Sequence, residues 1–456
     1  MKRIIALLIA LSMFLSLFVS CGKGEETTTT KTTQTITKEN ITVEDVSDEK
    51  EVSESESETD ESTEKITEEK STENVTEEDF SEEYIEIDDE EWLDEEIDYF
   101  AMYQPPETKT KTYNTLKKEL DNVIKKRGYK GREKQVVINT FNALYNSYST
   151  WKVGYRDLPS TEDYIRTTYI DILKHVVVKC YVSDTEEYKE YCKKEPYVCD
   201  CSHMEPLDNG ECKVVMILLK DEEKTPELTS VETEEFFHEV THCRAHLYVY
   251  ETSDVEYESI NLILEGAATF HMKFAKKMNY EHGGSWCVAK KDESVCLEYR
   301  KDNCVGYLTY LNAYEKLVYL LGYDTIFEYE NGDLSYGDIR NKLAKKYGEN
   351  IGGKFLTTMS DWHNESDGNY ANDKAFSLAI EFENLFFECL KKDIKNLKTK
   401  KEAEEFIRIY DHYKKRNMPV TVNADGEELP TVFDVASVDK ELKIKVKEFG
   451  IKYIPA

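Results

Sequence analysis

The chain has 456 residues, with 92 Asp or Glu against 59 Lys or Arg, and a formal net charge of −33. That sign, with no basic patch interleaved with aromatics, excludes a nucleic-acid-binding protein. Once the N-terminal segments described next are set aside, about 350 residues remain, enough for one large domain or two lobes.

Lys2 and Arg3 precede an uncharged apolar run from Ile4 to Val19, which ends at Ser20-Cys21. A positive start, an apolar middle and a small-residue end form the pattern of a secretory signal over residues 1–20. The small residue followed by Cys resembles a bacterial lipobox, with Phe18 where Leu is more usual. The resemblance implies cleavage before Cys21 and a diacylglycerol on its sulfur; an ordinary signal with a chance cysteine is the alternative. No later apolar run reaches spanning length. The expectation is a protein held at the bacterial cell surface by an N-terminal lipid anchor in the membrane.

From Gly22 to Phe100 there are 31 acidic residues and six lysines, so residues 101–456 carry only −10 of the net charge. The runs TTTTKTTQTITK and SESESETDESTEKITEEK hold too few apolar groups to offset the entropy of ordering them. Residues 21–105 are therefore expected to be the lipidated Cys and a disordered, self-repelling acidic stalk. The aromatic stretch from Tyr84 to Tyr103 is read as its end, with docking on the body or a partner as the alternative.

Apolar residues at three-and-four spacing predict helices over Thr112–Lys126, Glu133–Ser147 and Thr161–Lys174. Ten cysteines accompany Cys21, and Cys192, Cys199, Cys201 and Cys212 crowd into YCKKEPYVCDCSHMEPLDNGEC. In an exported chain these predict disulfides in the loop. A Cys/His metal knuckle with His203 is the alternative, although paired CxxC arms are lacking. The compact run KVVMILLK (Lys213–Lys220) reads as a buried strand. Helical periodicity then returns at Glu232–Tyr248, Asp254–Met278, Asn303–Leu321, Tyr336–Lys346, Asp373–Leu390 and Lys401–Lys415. The expected fold class is mainly α with a small β-sheet, an α+β protein. Its body divides into an N-terminal mostly helical region with the Cys-rich loop (106–210), a core (211–325) and a C-terminal helical subdomain (326–456). The polar DWHNESDGNYAND (Asp361–Asp373) lacks EF-hand spacing and is read as a connector.

The stretch FFHEVTHCRAH, Phe236 to His246, holds three of the nine histidines. His238 and His242 lie one helical turn apart, the separation at which two imidazoles converge on one cation. Glu239, about a quarter-turn round, stays out of coordination yet reaches a water at the cation. The five residues thus offer two neutral nitrogens and a carboxylate base, as a zinc hydrolase needs. His242 with His246 is a rival pair that leaves Glu239 a turn away, so the first pair is preferred. Cys243 faces elsewhere and His271 is read as structural. A third ligand is sought on the next helix, for which Ser253 and Glu256 supply a capping box. Glu265 lies 23 positions after His242, enough for a turn and an antiparallel return. Gly266 costs a helix about 1 kcal/mol relative to Ala, and close approach to the first helix is the expected reason.

HEVTH followed by Glu265-Gly266-Ala267-Ala268 resembles the gluzincin zinc metallopeptidases over roughly Lys213 to Met278. The resemblance implies a zincin-like core with flanking helical regions, one Zn2+ per chain on His238, His242 and Glu265, and Glu239 as general base. It also implies that KVVMILLK is the edge strand along which an extended peptide lies. No Gly-x-Met-Glu-Asn segment is present, so aminopeptidase action has no support. No downstream His supplies the oxyanion donor. Tyr307, Tyr310 and Tyr314 offer it, and Tyr307 is chosen because a tyrosine from a later helix serves in many gluzincins. The function expected is that of a membrane-anchored extracellular zinc peptidase acting on peptide or protein substrates. The alternatives are a surface lipoprotein that binds or adheres with an inactive metal site, and a metal-free helical domain.

Overall fold

The structure, a computed structural model, describes residues 103–196, 201–220, 226–249, 261–275, 286–299, 308–366 and 372–455. Its first helices follow from local sequence. In α1 (Lys111–Arg127) the Thr110 side chain caps the Tyr113 N–H, and Gly128 ends the helix at φ 75° by donating to the Ile124 carbonyl. That left-handed angle is one that glycine takes without strain. Helix α2 (Gly131–Lys152) buries Val137, Phe141, Leu144, Tyr148 and Trp151. Helix α3 starts at Thr161–Ile165, passes through a π turn at Arg166–Ile170 and ends at Asp171–Leu173.

A three-stranded sheet comes next. Strand β1 (Val176–Val182) is followed by α4 (Glu186–Lys194), β2 (His203–Pro206) and β3 (Cys212–Leu218). The spatial order is β1-β3-β2. β1 pairs parallel with β3 from Val176 opposite Cys212 to Val182 opposite Leu218, and β2 pairs antiparallel with His203 opposite Val215. KVVMILLK therefore lies mainly in the central strand and not at the edge, which corrects the expectation. A near-continuous apolar run suits a strand with neighbours on both sides and cover on both faces. Val214 and Met216 enter the main core, while Val215 packs with Tyr191 of α4 on the other face. The short polar strand HMEP takes the edge.

Helix α5 (Pro226–Tyr248) packs over this sheet, beginning six residues before the expected start. Pro opens a helix well because its missing N–H has no partner there. A π turn (Leu262–Gly266) leads into α6 (Ala267–Met272) and a 3₁₀ turn (Lys273–Ala275). A second sheet of short antiparallel strands joins β4 (Trp286–Ala289) and β5 (Val295–Tyr299) to β6 (Val420–Asn423) and β7 (Glu428–Leu429).

From β5 to β6 the chain passes through α7 (Leu308–Leu321), α8 (Tyr323–Glu330), α9 (Tyr336–Tyr347), α10 (Lys354–Ser366), α11 (Asp373–Asn396) and α12 (Lys400–Arg416), and α13 (Val435–Lys447) follows β7. Helix α7 is buried all round, charges included. Its Glu315 accepts from Lys273 at 2.9 Å and from the Tyr155 hydroxyl at 2.5 Å, and its Lys316 pairs with Glu383 at 2.9 Å. Burial of this kind is tolerated only with such partners.

Two local readings change. Asp361 to Ser366 is not connector but the end of α10, where Trp362 is fully buried. Asn372 caps α11 by accepting from the Lys374 and Ala375 N–H groups. Cys192 and Cys212, two of the four cysteines expected to bridge, are unbridged thiols. Cys212 is buried, with its Sγ 3.8 Å from the Cys243 carbonyl of α5. The molecule is thus mainly helical with two small sheets. Among the described residues no helix is long and apolar enough to cross a membrane.

Candidate metal centre

Helix α5 turns Phe236, Phe237, Val240 and Cys243 into the core. Its other face carries His238, Glu239 and His242. Two carboxylates of the same helix pin it to the sheet. Glu232 accepts from the Leu219 N–H at 3.0 Å. Glu235 accepts from the Ser202 hydroxyl at 3.2 Å, and Ser202 in turn accepts from the Ile217 N–H at 3.2 Å. Sequence reading passed over both, since acidic residues on a helix read as solvent-facing.

His238 and His242 direct their Nε2 atoms at each other, 2.9 Å apart. Glu265 closes the group, with Oε2 3.6 Å from His238 Nε2 and Oε1 3.8 Å from His242 Nε2. Ligand atoms around a tetrahedral zinc with bonds of about 2.0–2.1 Å lie about 3.3 Å from one another. The three separations bracket that value, so this donor set fits a small dication. Glu239 also places a ligand atom within 4.8 Å of both imidazoles. Glu265 and Glu239 thus both stand within reach of the two imidazoles, Glu265 at 3.6 and 3.8 Å from their Nε2 atoms. Side-chain exposures of 16% for His238, 11% for His242 and 21% for Glu265 leave the group open to water on one side. His238 Nδ1 is buried without a hydrogen bond among the described residues.

The electrostatics follow from packing ionisable groups with little water. Burial drives the Glu239 pKa up to about 8, against the pull of His238. Burial takes His242 down to about 4, Glu265 opposing. For Glu265 burial acts upward, but His242 and His238 outweigh it and hold the carboxyl below its usual value. For His238 burial acts downward, and Glu265 and Glu239 reverse it, raising the imidazole. Groups pushed apart in this way are what acid–base chemistry uses.

Glu265 sits on the π turn, a helix irregularity frequent at functional sites. Gly266 has a reason other than the one expected. A Cβ there would meet the Tyr310 carbonyl oxygen at 2.7 Å and Tyr314 Cβ at 3.0 Å, so the close neighbour is α7 and not α5.

The remaining candidates separate. His242 is brought to His238, which decides against the pairing of His242 with His246; His246 is half-buried one turn on. His271 is structural, with Nδ1 2.6 Å from the Tyr164 hydroxyl and Nε2 2.7 Å from Glu330. Tyr314 donates its hydroxyl to Glu330, and Tyr310 is buried against the His363 ring, centroids 4.6 Å apart. His203 contacts the Cys201 carbonyl, Glu205 and Tyr191, and no thiol approaches it among these partners. Tyr307, Cys21, Cys199 and the Ser253–Glu256 capping box lie outside the described residues.

Comparison of the chain with protein-family models, with curated proteins and with solved structures returns no match.

Proposed function

We propose that the protein is a zinc-dependent peptidase, zincin-like in its core, that hydrolyses peptide bonds outside the cell while anchored to the bacterial membrane through lipid on Cys21. The observation carrying this reading is the triangle of His238, His242 and Glu265 atoms at zinc-like separations with Glu239 alongside. A dication held there by His238, His242 and Glu265 would supply Lewis acidity toward a water and the scissile carbonyl, and its charge would favour the ionised form of the nearby Glu239 carboxyl. Glu239 accepts the proton of the attacking water and later delivers it to the leaving amine. His238, His242 and Glu265 are spent as ligands. The substrate main chain extends along β2, an edge strand in contact with α5, which takes over the role first given to β3.

Purified protein is assayed for zinc content and for cleavage of unstructured protein substrates, beside its Glu239→Gln variant. Metal retained with cleavage lost is the expected result, and cleavage unchanged in the variant ends the mechanism. A surface binding module with an inactive metal site is the second reading. It is favoured by the commitment of Tyr314 to Glu330 and the burial of Tyr310, two of the three tyrosines considered for the oxyanion; the third, Tyr307, lies outside the described residues. It predicts zinc without turnover in the unmodified chain.

A further inference from the structure

Beyond the cation's own contacts, the two ligand-bearing helices share one buried carboxylate. Arg244 lies two residues after His242 on α5. His271 lies six residues after Glu265 on α6. Both converge on Glu330, the last residue of α8: Arg244 Nη1 pairs with Oε2, and His271 Nε2 lies 2.7 Å from Oε1. The Tyr314 hydroxyl donates to the same Oε1. Tyr314 belongs to α7, the helix against which Gly266 is jammed. Every member is itself fixed. Arg244 Nη2 donates to Asn331 Oδ1 at 2.8 Å, and its guanidinium lies over the Phe327 ring at 4.3 Å. Facing a carboxylate, which only accepts, His271 Nε2 is the donor, and Nδ1 accepts from the Tyr164 hydroxyl at 2.6 Å.

We infer that Glu330 is a positioning residue for the metal centre, holding the helix of His238 and His242 and the helix of Glu265 in the register at which their three donors meet. This rests on the metal reading of those three residues. The physical argument is one of preorganisation. The ligands come from two helices, so their spacing is only as well defined as the relation of those helices to each other. Apolar packing alone defines that relation loosely. One anion accepting from α5, α6 and α7 at once defines it in direction as well as distance. Groups hydrogen-bonded to a ligand itself are worth about 10- to 100-fold in metal affinity, and Glu330, one contact further out, is expected at the low end of that range. A charged residue 65 positions from the nearest ligand and outside the HEVTH run offers no spacing by which sequence alone would find it.

Cobalt(II) is the probe, titrated into the metal-free full chain and followed by visible absorption. Glu330→Gln is expected to bind about tenfold more weakly with an altered absorption envelope, while circular dichroism stays as in the unmodified chain. Glu330→Asp is expected to recover part of the affinity. Should Glu330→Gln fail to fold, His271→Gln, which leaves the Arg244–Glu330 pair intact, carries the test with the same expected loss. The control is Glu383→Gln, an equally buried partner of Lys316 and Tyr413, neither of which lies on a helix bearing a ligand. It is expected to lower stability and leave cobalt affinity unchanged. Wild-type affinity and absorption in folded Glu330→Gln or His271→Gln overturn the inference. So does an equal loss in the control. If the unmodified chain takes up no cation, the metal reading fails and takes this inference with it, an outcome distinct from the variants alone being silent.

Discussion

His238 and His242 hold their Nε2 atoms 2.9 Å apart, a hydrogen-bonding distance between two groups that in their neutral form each present a lone pair or a proton at that atom. Without a cation, one ring must carry the shared proton. With one, both lone pairs face it and the Glu265 carboxylate neutralises part of its charge. Binding is therefore expected to stabilise the folded chain, by about 2.7 kcal/mol at a free concentration one hundred times the Kd. Thermal melts with zinc, with chelator and with neither measure it. His242→Ala is expected to abolish the zinc-dependent rise, and a melting temperature indifferent to zinc in the unmodified chain would falsify the ligand assignment.

Gly266→Ala tests the packing behind Glu265. Alanine favours a helix over glycine by about 1 kcal/mol, yet the added methyl meets a backbone carbonyl, which has no rotamer by which to retreat. Overpacking of this kind costs about 1–3 kcal/mol. The expected outcome is a net loss of stability in urea titrations together with weaker zinc binding. A variant as stable as the parent would show that the π turn and α7 part easily.

Acid should unfold the metal-free protein early. Burial holds the His412 pKa at about 3, helped by Lys273, and His242 at about 4. An unfolded histidine titrates near 6.5. Above that value both states are neutral and neither group contributes. As the pH falls below it the unfolded chain takes up protons that the native one refuses, and stability drops by roughly 1.4 kcal/mol per pH unit for each group. The loss continues down to about pH 4 for His242 and about pH 3 for His412. Glu330, held at about 2 despite burial by Arg244 and His271, adds a further loss from the ordinary carboxylate range downward. Glu239, held at about 8 by burial, works the other way, since the native state keeps a proton that the unfolded carboxyl releases above about 4.5, and it offsets one of the two histidines. Urea midpoints at pH 7, 6, 5 and 4 are therefore read in the Glu239→Gln variant, where that opposing uptake is gone, and a flat profile there contradicts the neutral burial of both imidazoles.

Much of this was legible where the physics is local. The apolar periodicity of α1, α9 and α12 marks both ends of those helices to within one residue, while α2 and α11 run five and six residues past their expected ends. The spacing of His238 and His242 suffices to bring them together, because a helix fixes the geometry of residues one turn apart. What escaped depends on distant segments. β5 and β6 pair Val295 with Asn423, and no short-range signal announces a partner that far along the chain. The run KVVMILLK shows that it is buried but not which strands flank it. α10 was missed at Asp361–Ser366 because five of those six residues are polar, although Trp362 among them is anchored in the core. Glu330, Glu315, Lys316 and Glu383 read as surface charges, and only the fold reveals that each meets a buried partner.

The π turn ahead of α6 closes with the Ala267 N–H donating back to the Leu262 carbonyl, five positions earlier. Such a loop of helix contains one residue more than an ordinary turn of the same rise. Excising a single residue from it would let the segment relax into regular α-helix, while α6 stayed seated on its neighbours. The side chains ahead of the excision would swing about 100° around the axis relative to those behind. The fold could absorb so small a shortening. Its carboxylate could not, which makes chain length at this one turn a dial that separates being well folded from being able to hold a metal.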